Sequence, residues 1–137
     1  MKAPGATTLL VVGILLIIGA TIALIITSLA FIGAAYLTTI GEPLMGIEWL
    51  DIITLFIAGA WQLFVAIMCI ANRNKLEKGS LLVGLALSVI VIAAFSIIYG
   101  FVMGDGFPFA DIAGLLLPFL LHNAASKNKN AFDANSS

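Results

Sequence analysis

The chain has 137 residues, of which 62% are hydrophobic and only 9% charged, against roughly 25% charged residues in an ordinary soluble domain. A mean hydropathy of +1.19 is more than one small globule can hide from water. These figures exclude a soluble enzyme, a nucleic-acid binder and a disordered chain, and leave a one-domain polytopic membrane protein.

In chain order, the first apolar run extends from Leu9 to Tyr36, 28 residues with no ionisable side chain before the terminal tyrosine. As a helix it reaches about 42 Å, beyond the hydrocarbon thickness of about 30 Å, so it is expected to tilt, to break near Gly33 or to project past the outer surface. Lys2 and the Ala34-Ala35 pair give it some likeness to a secretory signal peptide. Its apolar core is longer than the roughly 7 to 15 residues such peptides use, which favours an uncleaved span. Further spans are expected over 52–71, 81–103 and 109–125, the last being short, entered after Pro108 and containing Pro118. The polar segment 126–137, rich in Asn, Lys, Ser and Ala, is expected to be a disordered tail outside the transmembrane domain of residues 1–125.

The six basic residues decide the topology. Lys2 precedes the first run, Arg73, Lys75 and Lys78 lie between the second and third, and Lys127 and Lys129 follow the fourth. The two other connections contain no lysine or arginine and hold, in or beside them, Glu42, Glu48, Asp51, Asp105 and Asp111. Under the positive-inside rule this pattern predicts an all-α bundle of four transmembrane helices with both termini cytoplasmic. Omitting the fourth span would place Lys127 and Lys129 outside, so the charges support it independently of hydropathy.

An internal echo divides the chain into two helical hairpins of parallel orientation. Ile57-Ala58-Gly59 with Phe64 recurs as Ile112-Ala113-Gly114 with Phe119, and Leu9-Leu10-Val11-Val12-Gly13 is echoed by Leu81-Leu82-Val83-Gly84. Chance matching among Leu, Ile, Val, Ala and Gly explains the similarity equally well.

Small residues mark the expected packing faces. Gly19, Ala23, Thr27, Ala30 and Ala34 share one face of the first span, and Ala86, Ala93, Ser96 and Gly100 do much the same on the third. In lipid, close approach along such faces is a main route to helix association, within one bundle or between subunits. Gln62, near the middle of the second span, needs hydrogen-bond partners that hydrocarbon does not offer, and neighbouring Trp61 has an indole donor to satisfy. The expectation is a structural bond across to another helix, in preference to a polar pathway, because no charged group lies at that depth and the repeat counterpart of Gln62 is Leu117.

The outer acids could in principle hold a cation, but they lack a fixed calcium-ligand pattern, and acids are what remains once lysines are confined to the inside. Asp111 also suits a helix start. Tyr36, Trp49, Tyr99, Phe107 and Phe109 read as an interfacial aromatic belt. Cys69 and His122 are each the single residue of their kind. Cys69 cannot form an intramolecular disulfide, and nothing supplies an orienting third group for a Cys–His nucleophile, so no catalytic centre, metal or cofactor is expected; acylation of Cys69 is a minor alternative.

The Gly13 and Gly19 positions, the Ala71-Asn72-Arg73-Asn74-Lys75 link, Gly114-Leu115-Leu116-Leu117-Pro118 and the Lys127-Asn128-Lys129 tail together resemble a loose group of small tetraspan membrane proteins of Gram-positive bacteria that carry a domain of unknown function. The resemblance implies four spans and a bacterial inner membrane, and no activity. Small multidrug transporters share the size but place a Glu in the first span, where this chain has none. The reading that follows is a multi-pass protein of the plasma or inner membrane, in contact with lipid and with other membrane proteins or copies of itself, and with no nucleic-acid partner. It would be an accessory subunit or a small homo-oligomeric scaffold; the alternative is a small oligomeric channel or transporter with its pathway between subunits.

Overall fold

The computed structural model describes residues 2–43, 49–104, 106 and 109–137. Its helices are α1 (Ala6–Thr39), α2 (Trp49–Ala71), α3 (Gly79–Met103), α4 (Phe109–Gly114) and α5 (Leu116–Ser136), with a single 3-10 turn at Leu76–Lys78 leading into α3. Three helical segments, Ala6–Thr39, Trp49–Ala71 and Leu76–Met103, are long and apolar enough to cross a membrane. A helix is the form expected of such sequences, because in lipid each backbone N–H and C=O must find its partner inside the segment.

The first helix runs unbroken through Gly33 for 34 residues, about 51 Å at about 1.5 Å per residue. It stops where Gly41 takes a positive φ of 77°. There the Glu42 N–H reaches back to the Leu37 carbonyl and the Gly41 N–H to that of Thr38, a left-handed stop that glycine adopts without side-chain strain. The fourth expected span, 109–125, is divided at Leu115. Pro118 has no N–H to offer the carbonyl of Gly114, four residues earlier, so the regular ladder fails one turn ahead of the proline.

The strongest packing is within pairs, α1 along α2 and α3 along α5. The repeat does not extend to equivalent environments, however. Gly59 is buried against Leu24, while a side chain at Gly114 would meet open space.

The core lies at one end of the molecule. It is built from Leu9, Val12 and Leu16 of α1, Val65, Ala66 and Cys69 of α2, Leu82, Ala86 and Val89 of α3, and Leu121, Ala124 and Ala125 of α5. Beyond this cluster α1 and α2 remain in contact, whereas no residue of α3 after Val89 is buried.

The segment 126–137 departs from the expected disordered tail. It continues α5 as helix to Ser136, and Asn128 within it is fully buried. Tertiary hydrogen bonds, together with the exposed Lys129–Asp133 pair one turn apart at 4.0 Å, supply the order that apolar content does not.

Candidate functional site

At the core end, one side chain joins three segments. The Gly5 N–H at the start of α1 donates to Asn128 Oδ1 at 2.7 Å, and Asn128 Nδ2 donates to the Arg73 carbonyl beyond the end of α2 at 2.9 Å. One amide therefore satisfies an orphan donor of one helix start and a free carbonyl past another helix end. The α2 terminus is completed locally, with Asn72 Nδ2 on the Met68 carbonyl and an Arg73 guanidinium N–H on that of Ile70. The backbones here are too close for larger residues. A Cβ at Gly5 would collide with the Ala124 carbonyl, and one at Gly79 would lie 2.5 Å from the Lys129 nitrogen.

This junction collects the chain's cations. Arg73 and Lys129 are part of it, Lys78 adjoins Gly79, and Lys2, Lys75 and Lys127 lie within a few residues of its members. Arg73, Lys75, Lys78, Lys127 and Lys129, the expected topology determinants, thus lie in or next to the segments that meet at this end of the bundle. Of the acids expected on the outer side, Glu42 and Asp111 are exposed and Asp51 is half-buried at the start of α2; Glu48 and Asp105 lie outside the described residues. Among the described residues, no group of three or more His, Cys, Asp or Glu side chains is arranged to hold a metal ion.

Partway along α2 and α3 lies a second polar feature. Trp61 Nε1 donates to Ser88 Oγ on α3 at 2.8 Å, and that hydroxyl donates in turn to the Leu85 carbonyl. The bond between helices expected of Gln62 is thus made by its neighbour. Gln62 itself is half-buried and makes no side-chain hydrogen bond among the described residues. It lines a crevice of about 150 Å³ between α2 and α3, with Ala58, Trp61, Val89, Ile92, Ala93 and Ser96.

The small-residue faces are only partly packing faces. On α1, Thr27 and Ala34 are buried and Ala30 half-buried, but Gly19 and Ala23 are exposed. The side of α1 that meets α2 is displaced from the expected stripe: a Cβ at Gly13 would lie 2.6 Å from Ile70 Cγ1, while one at Gly19 would meet nothing within 4 Å. On α3, Ala86 is in the core, Ala93 and Gly100 are half-buried, and Ser96 is exposed at the crevice.

The C-terminal part of α1 and the N-terminal part of α2 enclose a different space, an apolar groove of about 380 Å³ lined by residues that include Thr27, Phe31, Ile52 and Phe56. Phe31 meets Trp49 edge to face, with centroids 5.3 Å apart, and Thr27 and Ser28 direct their hydroxyls to their own helix. Cys69 is fully enclosed in the core, which leaves no room for an acyl chain on its sulfur, and His122 is half-buried on α5.

No family model, curated protein or solved structure matches the chain.

Two features of this site were not read from the sequence. Asn128 looked like part of a polar tail, and only its spacing of three and four residues from Ala125 and Ala124, which places it on the buried face of α5, hinted otherwise. Ser88 carried no signal, since a serine in a membrane helix ordinarily bonds its own backbone.

Proposed function

We propose that the protein is a non-enzymatic, multi-pass component of a cell membrane that assembles with other membrane proteins, as an accessory subunit or as a small homo-oligomer. The observation that carries this reading is the unequal packing of its helices. After Val89, the remaining 14 residues of α3 (90–103) contribute nothing to the core, and Phe95, Ile98 and Val102 are 63 to 73% exposed. Half of a helix long enough to span is therefore free to meet lipid or another protein. The opposite half of the bundle is filled by Leu9, Val65, Leu82 and Leu121, all fully buried, so a solute pathway would have to run between subunits.

In this reading the chain spans the membrane four times, with α4 and the first half of α5 as the fourth crossing, and the filled, basic end is cytoplasmic. The clustering of the cations around Asn128 supports that orientation. With Cys69 replaced by Ser, single cysteines at Glu42 and Gly106 are expected to react with an impermeant thiol reagent applied to intact cells, and one at exposed Asn74 only after permeabilisation. Labelling of Asn74→Cys in intact cells would remove the four-span orientation.

The functional reading is tested by the mass and composition of the complex extracted in mild detergent, together with ion flux in liposomes. A foreign membrane subunit, or a homo-oligomer with flux at the empty-vesicle background, is the expected result. A homo-oligomer that conducts reproducibly above that background would establish the channel or transporter reading instead.

A further inference from the structure

We propose that the crevice between α2 and α3 is a self-association site, in which Gln62 of one copy hydrogen-bonds to Gln62 of a second copy across a two-fold axis normal to the membrane. The inference rests on the interaction reading above and names its partner. Gln62 lies 13 residues from Trp49 and 9 from Ala71, about 20 Å and 14 Å along α2, which puts it deep within a helix of spanning length. A carboxamide there carries two N–H donors and a carbonyl acceptor, and lipid tails satisfy neither. The chain does not satisfy them either. The Trp61 indole has Ser88, the Ser96 hydroxyl donates to the Ile92 carbonyl at 3.0 Å, and Gln62 has no partner among the described residues.

The amide also opens outward. No buried side-chain nitrogen or oxygen among the described residues lacks a partner, so the unpaired Gln62 atoms reach the molecular surface, at a crevice rather than inside the core. They are therefore open to a group from outside the chain. A second copy fits for a geometric reason: chains inserted in one membrane share an orientation, so their Gln62 side chains lie at the same depth, and a two-fold axis brings each residue against itself. A carboxamide is its own complement, donor to acceptor in both directions. Ser96 adds an oxygen lone pair beside it, able to accept the second N–H of the incoming amide.

The test uses the full chain in phosphatidylcholine vesicles, with association read by energy transfer between labelled copies as the protein is diluted in lipid. Wild type is expected to dimerise, Gln62→Leu to dimerise about tenfold more weakly with its thermal midpoint preserved, and Gln62→Asn to remain near wild type. Independently of any change at Gln62, a single cysteine at Ser96 in a Cys69→Ser background is expected to cross-link between copies, and one at Ile18, on the exposed side of α1, is not. A dimer indifferent to Gln62→Leu, or one that cross-links at Ile18 and not at Ser96, would overturn this inference and leave the interaction reading intact. So would a chain that stays monomeric in vesicles but is extracted with a foreign subunit. A monomer that conducts in liposomes would overturn both.

Discussion

Replacing Asn128 with leucine is expected to destabilise the protein by about 1–4 kcal/mol, measured as a lowered thermal midpoint in mild detergent. Leucine has the same branched skeleton as asparagine and is the larger residue, so the loss does not come from a cavity. It comes from the two backbone groups abandoned at the junction: the buried Gly5 N–H, which costs about 1–3 kcal/mol without a partner, and the part-buried Arg73 carbonyl, which costs less because water can reach it. Ending the chain after Ser126 removes the same amide and is expected to have a comparable effect. If residues beyond Ser126 were a loose tail, truncation would leave the midpoint where it is, so an unchanged midpoint would remove the structural role assigned to α5 beyond the bundle.

A paired substitution on α1 is expected to separate its packing face from its lipid face. Gly13→Leu places a branched side chain where a single Cβ already comes within 2.6 Å of Ile70 Cγ1 and 3.5 Å of the Ala66 carbonyl. The helices must move apart, and overpacking of this kind costs about 1–3 kcal/mol, with more expected here because one neighbour is backbone. Gly19→Leu, six residues later, enters open space and is expected to change the midpoint little or raise it, since leucine is the better helix former. Ala23→Leu belongs with Gly19→Leu because Ala23 is exposed. Equal losses from Gly13→Leu and Gly19→Leu would show that α1 meets α2 on a different face.

Length, hydropathy and charge were sufficient to read an all-helical chain with three segments able to span, and to place Arg73, Lys75 and Lys78 at the same end as Lys127 and Lys129. Those properties are legible because they depend on transfer of whole segments between water and hydrocarbon, a sum over side chains that needs no knowledge of neighbours. Which face of each helix meets another does not follow from the same sum. In a soluble helix the buried side announces itself by its apolar residues, but here lipid and protein are equally apolar, and Val11 and Ile14, both exposed, are as hydrophobic as Val12 and Leu16, both buried. Small-residue spacing suggested Gly19 and Ala23, and steric fit selected Gly13 and Gly59 instead. Polar partners were open for a related reason. A hydrogen bond is a matter of a few tenths of an ångström between atoms far apart in sequence, so only the tertiary structure decided that Trp61 finds Ser88, that Asn128 finds Gly5 and Arg73, and that Gln62 finds no partner among the described residues.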